Sequence, residues 1–236
     1  MRPEVLYLDN HLLVVVKPPG MLSQSDDTGD LDVATWAKAF LKERFDKPGN
    51  VFAAIVHRLD RPVGGVMVLA RTSKAASRLA EQFRKRRVEK QYLAVVEGRL
   101  TGSGRAEDWL LKTRDPKTGT RVRRVNHATT GAKKAVLDWR SLAVVGERSL
   151  VEVRLETGRA HQIRVQLAGL GHPIRGDLRY GAPTPLGNGK GIALHATSVT
   201  VDHPTLKERR TFNSAAPKGW SHEFREAVQA AMPREG

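Results

Sequence analysis

Short apolar runs rich in β-branched residues recur along this 236-residue chain, and they indicate a fold built around a sheet. Residues 12–16 form one run ahead of a Lys-Pro-Pro-Gly turn, and residues 51–56 and 66–70 form two more. Apolar residues at 33–41 and 75–83 instead recur every three or four positions, as on one face of a helix. These alternating patterns predict a mixed α/β domain.

The rest of the chain also alternates between predicted strands and predicted helices, and a strongly basic stretch lies in its middle. Residues 101–131 are rich in glycine, threonine and basic side chains and predict short strands with exposed loops. We expect N-caps at Asp32 or Asp30 for the first helix, and at Thr72 or Ser73 for the second. Further strands are predicted at 92–96, 135–142, 150–155 and 192–201, a helix at 162–170 ended by Gly171, and a last helix marked by Trp220, Phe224, Ala227 and Val228.

Composition narrows the class of protein. The chain has no cysteine, which excludes disulfides, thiolate nucleophiles and cysteine-ligated metals. Its longest apolar runs are far shorter than the roughly 20 residues that span a bilayer. No secretory signal is evident at the N-terminus. We therefore expect a cytoplasmic protein with no membrane association.

Positive charge is concentrated in one part of the chain. The sequence holds 40 Lys and Arg against 25 Asp and Glu, a formal charge of +15, and residues 71–134 alone carry +12 of it. The densest points are 84–87, 121–124 and 133–134. Such an excess attracts a polyanion, although most charge runs are solvated surfaces. Charge favours a nucleic-acid partner and does not distinguish DNA from RNA.

Asp60 is the first candidate for chemistry. It lies in a polar loop between two predicted strands, and Arg58 and Arg61 flank it. A carboxylate beside two cations stays ionised and available for acid–base or nucleophilic work. A structural salt bridge or a turn-capping aspartate explains the same pattern.

The second candidate is the stretch at 157–164, Thr-Gly-Arg-Ala-His-Gln-Ile-Arg, which places several hydrogen-bond donors at the predicted start of a helix. Helix N-termini bind anions, and a capped helix start is the plain alternative. The histidines lack the spacing of a zinc enzyme, and neither a Gly-x-Ser-x-Gly elbow nor a phosphate-binding Gly-rich loop is present. We expect no metal site.

These motifs together resemble the RluA family of pseudouridine synthases. The His-Arg-Leu-Asp motif stands at 57–60, and the likeness extends from about residue 5 to residue 212. Two departures lie beside key residues of the likeness: residues 63–65 are Val-Gly-Gly where Thr-Ser-Gly is usual, and Gln166 stands where His is frequent. The other matching segments are an opening strand with its Lys-Pro-x-Gly turn at 12–24, Lys-x-Tyr at 90–92, a long motif from Thr-Gly-Arg to Asp-x-x-Tyr-Gly at 157–181, and closing segments at 194–196 and 203–204.

The resemblance implies a fold and an activity. The family fold is α+β, with a mixed, mostly antiparallel sheet in two halves, flanked by helices and loops around a basic cleft. The family isomerises uridine in RNA to pseudouridine without a cofactor or a metal. Its essential carboxylate corresponds to Asp60, and the arginine that pairs with it corresponds to Arg164. Arg58 corresponds to the arginine that replaces the flipped base, and Tyr92 to the tyrosine that stacks on the uracil.

The resemblance and the charge together predict the partner and the organisation of the chain. We expect structured RNA, a tRNA or rRNA stem-loop, bound by a monomer made of a single catalytic domain over 1–236 with a core at about 5–212. We expect no S4 RNA-binding domain of the kind that many relatives carry. A non-catalytic RNA-binding protein of the same fold and an unrelated nucleic-acid hydrolase are the alternatives. The expected RNA contacts are His57, Arg58, Arg61, Arg86, Arg87, Arg159, His161 and Gln162.

Overall fold

The structure is a computed structural model that describes residues 2–26, 28–115, 119–217, 219 and 223–231. Within these residues it has eleven strands and four α-helices. The helices are α1 Val33–Arg44, α2 Ser73–Arg84, α3 Gln162–Gly169 and α4 Arg225–Ala231. The strands are β1 Glu4–Leu8, β2 Leu12–Lys17, β3 Ala54–Ile55, β4 Gly64–Ala70, β5 Glu89–Glu97, β6 Ser103–Asp115, β7 Gly119–Val125, β8 Lys133–Val145, β9 Arg148–Leu155, β10 Leu194–Asp202 and β11 Arg209–Asn213.

The chain divides into two compact units, each built from two separate stretches of sequence. The first unit contains Met1–Lys90 and Ala196–Ser214, and the second contains Gln91–His195 and Ala215–Gly236. Both carry sheet and helix, so the predicted α+β class is confirmed. The single catalytic domain stays a prediction.

In the first unit the strand order is β1-β2-β4-β10-β11, and the short β3 also pairs with β4. The pairing of β2 with β4 is antiparallel and runs from Leu12 opposite Ala70 to Lys17 opposite Gly65. Both strands are almost entirely buried, which explains their continuous apolar sequence. The helices begin where predicted: Asp32 caps α1 and Thr72 caps α2, each accepting a backbone N–H three residues on.

In the second unit the strand order is β5-β9-β8-β6-β7, and every pairing among them is antiparallel. One face of this sheet carries α3, because Leu110, Val122 and Ala135 from three strands form a small core with Val165 of the helix. The helix ends as predicted before Gly171, whose φ of +87° lets the chain turn back.

Several sequence predictions need correction. The middle of the chain forms long strands rather than short ones, since β6 and β8 each span 13 residues. The strand expected at 51–56 shortens to the two residues of β3. β1 precedes the first strand that was predicted. The last helix begins at Arg225, and Trp220 lies outside the described residues.

Two further observations concern the described residues. None of their helices is long and apolar enough to cross a membrane. No group of three or more His, Asp or Glu side chains among them is placed to hold a metal ion.

Gly65 allows two strands of the first unit to approach closely. Its φ is +122°, and a Cβ placed there would lie 2.3 Å from the carbonyl oxygen of Ala196 in β10. This contact is with backbone, which cannot swing aside. Packing therefore requires glycine at position 65. This is also the position at which the chain keeps the glycine of the usual Thr-Ser-Gly motif.

We predict that Gly65→Ala lowers the free energy of unfolding by about 3 kcal/mol or more, because backbone strain adds to the clash. Gly102→Ala is the matched control: its φ is +77° but its Cβ meets nothing within 4 Å. That control should cost about 1 kcal/mol. Urea denaturation of both variants tests the difference, and equal losses would contradict it.

Candidate active site

Asp60 lies in the loop between β3 and β4, half-buried in the first unit. The loop turns back on itself, because the N–H of Val63 donates to the carbonyl oxygen of Asp60 at 3.0 Å. The chain thus presents Asp60 on a tight turn that leads directly into β4.

Lys17, the last residue of β2, is hydrogen-bonded to the backbone of this loop. Its side chain is 0% exposed, and its Nζ donates to three carbonyl oxygens: Pro18 at 3.1 Å, Met21 at 2.7 Å and Arg61 at 3.1 Å. Three donors on an ammonium match three acceptors. The charged form is therefore the one that satisfies all three carbonyls.

The turn that follows Lys17 adds more contacts to the loop. The hydroxyl of Ser23 accepts from the N–H of Leu59 at 3.1 Å and donates to its carbonyl oxygen at 2.7 Å. The N–H of Gly20 donates to the carbonyl oxygen of Arg61 at 2.8 Å. The residues on either side of Asp60 are thus fixed through their backbones.

The buried ammonium also shapes the electrostatics. Burial is the main cause that lowers the pKa of Lys17 to about 7; the negative charge of Asp60 opposes this fall, and the positive charge of Arg61 adds to it. The charge of Asp60 therefore favours the charged form of Lys17.

The two arginines that flank Asp60 differ in their contacts with the rest of the protein. Arg61 is tied to the protein: its Nε donates to Gly20 at 3.1 Å, and it forms an ion pair with Asp30 at 2.5 Å. Arg58 is exposed, and its guanidinium has no hydrogen bond or ion pair with any described residue. Of the two, Arg58 is the one presented for contact with another molecule.

The predicted RNA contacts at the end of α2 are also presented to solvent. Arg86 and Arg87 are both exposed just after the helix ends at Arg84. Arg86 takes a φ of +56°, which turns the chain away from the helix. The contact of these side chains with RNA stays a prediction.

Arg164 of α3, in the second unit, makes a buried two-pronged ion pair with Asp177. Its Nε donates to Oδ2 at 2.6 Å and its Nη2 to Oδ1 at 2.8 Å. The guanidinium also lies over the ring of Tyr180, 5.0 Å from its centroid. The predicted pairing of Arg164 with Asp60 stays a prediction. The side chain of Arg164 is 6% exposed and that of Asp177 is 1% exposed, so the pair is buried.

Gln162 organises the loop before α3 rather than facing outward. Its Oε1 accepts from the hydroxyl of Thr157 at 2.7 Å and from the N–H of Arg159 at 3.0 Å. Its Nε2 donates to the carbonyl oxygen of Val136 at 3.0 Å. Gln162 is 3% exposed, so its described role is internal, and contact with RNA stays a prediction.

His161 and Arg159 also have internal partners. His161 takes a φ of +51° at the start of α3, and its Nδ1 lies 2.7 Å from the hydroxyl of Tyr180. The Nε of Arg159 donates to the carbonyl oxygen of Lys134 at 2.9 Å. Their contacts with RNA stay predictions.

Tyr92 lies on the same face of the second sheet as α3. It is opposite Val153 in β9, which is opposite Trp139 in β8. Trp139 shares its face with Ala135, four residues earlier in the strand, and Ala135 packs against α3. Tyr92 and Arg164 therefore belong to one face of this unit.

Four residues that organise these sites were not predicted as site residues: Lys17, Ser23, Asp177 and Tyr180. All four stand within the matching segments, in the opening strand with its Lys-Pro turn and in the Asp-x-x-Tyr segment. Their roles depend on burial and on partners distant in sequence, which spacing alone does not reveal.

We predict that Arg164→Met lowers the free energy of unfolding by about 3 to 5 kcal/mol, because Asp177 would keep a buried charge without its partner. Lys134→Met is the control in the same unit: its ion pair with Glu107 lies at the surface, with both side chains 49% exposed. The control should cost less than about 1 kcal/mol. Chemical denaturation measures both, and a small loss for Arg164→Met would contradict the structural role.

We predict that Lys17 makes stability depend on pH. The pKa is about 7 in the folded protein and roughly 10.4 in an unfolded chain. Between these values the unfolded chain binds the extra proton, so the free energy of unfolding rises with pH, by at most about 1.4 kcal/mol per pH unit. Lys17→Met removes this rise.

Urea denaturation at pH 6 and pH 9 tests whether Lys17 makes the free energy of unfolding depend on pH. The stability of the wild type relative to Lys17→Met should shift in favour of the wild type at pH 9. Lys38→Met, at an exposed position of α1, should show a constant difference. A pH-independent difference for Lys17→Met would mean that Lys17 keeps an ordinary pKa.

Comparison with known proteins places the chain in a family. The sequence profile described as RNA pseudouridylate synthase matches residues 11–169. The tRNA pseudouridine synthase C of Pasteurella multocida is 32% identical over 237 residues, covering 93% of this chain and 94% of the relative. The ribosomal large subunit pseudouridine synthase D of Xylella fastidiosa is 36% identical over 213 residues, covering 85% of this chain and 62% of the relative.

A solved structure agrees in fold. Human RNA pseudouridylate synthase domain containing 4 superposes with a TM-score of 0.75 at 25% identity, covering 96% of this chain and 93% of that one. The chain spans 62% to 66% of the length of several curated relatives, the Xylella protein among them. From the extent of these matches, the chain belongs to the RNA pseudouridylate synthase family.

Proposed function

We infer that this protein isomerises uridine in RNA to pseudouridine, with Asp60 as the essential carboxylate. The observation that carries the inference is the loop of the His-Arg-Leu-Asp motif, whose backbone is fixed by Lys17 and Ser23 on both sides of Asp60. A carboxylate held on so rigid a support is pre-positioned for reaction. Family membership supplies the reaction class.

The reaction is an internal rearrangement and needs no oxidant or reductant. The N1–C1′ bond of the uridine breaks, the uracil rotates, and a C5–C1′ bond forms. The proton lost from C5 is balanced by one gained at N1. Asp60 either attacks C1′ or removes a sugar proton so that a glycal forms, and both roles require an ionised carboxylate.

The target base has to leave its stack for this chemistry, because C1′ and C5 are not accessible inside a helix. Extrusion costs roughly a few kcal/mol, which phosphate contacts offset. The exposed Arg58 beside Asp60 supports a role in replacing the extruded base. Arg86 and Arg87 are exposed cations suited to phosphate. The catalytic roles of Tyr92 and Arg164 belong to the same proposal.

The proposed substrate is a stem-loop of tRNA or ribosomal RNA, in which bases unstack readily. One relative is named for tRNA and another for the large ribosomal subunit, and their names support RNA of either kind. A monomer in the cytoplasm, with no membrane contact, completes the proposal.

We predict that Asp60→Asn lowers turnover by at least about a thousandfold and leaves RNA affinity within several-fold, because it removes the charge and keeps the size. Tritium release from RNA labelled at C5 of uridine measures turnover, and filter binding measures affinity. Asp46→Asn, at an exposed site of the same unit, is the control and should keep full turnover.

Pseudouridine mapping in cellular RNA with and without the gene supplies the substrate for this assay. Near-normal tritium release by pure Asp60→Asn would refute the assignment of Asp60. If the wild type releases no tritium from any cellular RNA, the proposed activity itself fails, and a non-catalytic RNA-binding protein becomes the better description.

A further inference from the structure

His57, the first residue of the His-Arg-Leu-Asp motif, is bound on two sides within the first unit. Its Nε2 accepts a hydrogen bond from the backbone N–H of Val68 in β4 at 2.9 Å. Its ring is stacked on that of Phe83 in α2, with centroids 4.7 Å apart and planes at 19°. One contact fixes the edge of the imidazole and the other fixes its face.

The hydrogen bond stands where β3 stops. β3 pairs with β4 through Ala54 opposite Ala70 and Ile55 opposite Leu69, and the ladder ends there. The next position along β4 is Val68, which is fully buried. A buried N–H without an acceptor is strongly unfavourable, so the chain could not leave the sheet at this point unless something replaced the missing carbonyl.

His57 supplies that replacement. Because Nε2 accepts a hydrogen bond, the ring is neutral and carries its proton on Nδ1. Burial, together with the positive charge of Lys90, lowers the pKa of His57 to about 3, so the neutral form holds throughout the physiological range. The imidazole thus acts as a permanent acceptor and takes no part in proton transfer near neutral pH.

We propose that His57 is a positioning residue for Asp60: its neutral imidazole takes the place of a strand carbonyl on β4 and thereby sets where the loop that carries Arg58 and Asp60 leaves the sheet. The loop is then fixed at both ends, by His57 at its start and by the Lys17 and Ser23 contacts further along. This differs from the sequence prediction that His57 contacts RNA.

The consequence for activity rests on the proposed function. A displacement of about 1 Å in a reacting group costs roughly a hundredfold in rate. Loss of the acceptor should therefore lower kcat, while RNA affinity, which depends on phosphate contacts elsewhere, should hardly change.

Three variants separate the acceptor from the stacked ring. His57→Phe keeps the ring and loses the acceptor, and His57→Gln restores an acceptor near the position of Nε2 without the ring. Phe83→Leu removes the stacking partner and leaves His57 itself intact. All three are assayed by tritium release and filter binding, at temperatures well below their unfolding transitions.

We expect His57→Phe to lower kcat by about 10- to 100-fold with RNA affinity within about twofold. His57→Gln should recover most of that loss, and Phe83→Leu should stay within about threefold of the wild type. Reduced affinity at unchanged kcat would mean direct RNA contact and would overturn the proposal. Equal losses in His57→Phe and His57→Gln would also overturn it, since the acceptor would then not matter.

Amide NMR spectra make the test independent of activity. In His57→Phe the backbone amides of Val68, Arg58 and Asp60 should shift, and in His57→Gln they should return toward their wild-type positions. Unmoved Arg58 and Asp60 amides in a folded His57→Phe variant would overturn the proposal even if the wild type has no measurable turnover. Inactivity of the wild type with the expected shifts would instead count against the proposed function alone.

Discussion

The buried ammonium of Lys17 is the interaction on which the Asp60 loop depends. A charge with no exposure to water is costly, and here three carbonyl oxygens and the nearby Asp60 offset part of that cost. The arrangement joins the end of β2 to the carbonyl of Arg61, the residue after Asp60. The loop is thereby tied to a deeply buried pair of strands, β2 and β4, in the first unit.

In the second unit, buried polar contacts likewise hold α3 in place. Arg164 is buried and paired with Asp177 through two hydrogen bonds, and Tyr180 lies against the guanidinium. Gln162 ties the start of the helix to β8. In each unit, then, residues that the sequence marks as candidates for chemistry are held by buried polar contacts, which resist small displacements more strongly than apolar packing does.

The structure explains how the chain accommodates its two departures from the family pattern. Residues 63–65 keep Gly65, the glycine that the close approach of Ala196 requires. Gln166 uses its amide to donate to the carbonyl of Ala106 at 3.1 Å and to the carboxylate of Asp108 at 2.9 Å, which fixes α3 on the sheet. Its Oε1 has no hydrogen-bond partner among the described residues.

The sequence by itself determined most of the strands and helices, the caps at Asp32 and Thr72, the positive charge and the prominence of Asp60. These follow from periodicity, local hydrogen bonding and charge, which act over a few residues or through composition. Only the tertiary structure decided that Lys17 lies under the loop, that Asp177 is a partner of Arg164, and that His57 bonds to Val68. Each of these contacts joins residues at least eleven positions apart, and its energy depends on exclusion of water, which becomes definite when the chain has packed.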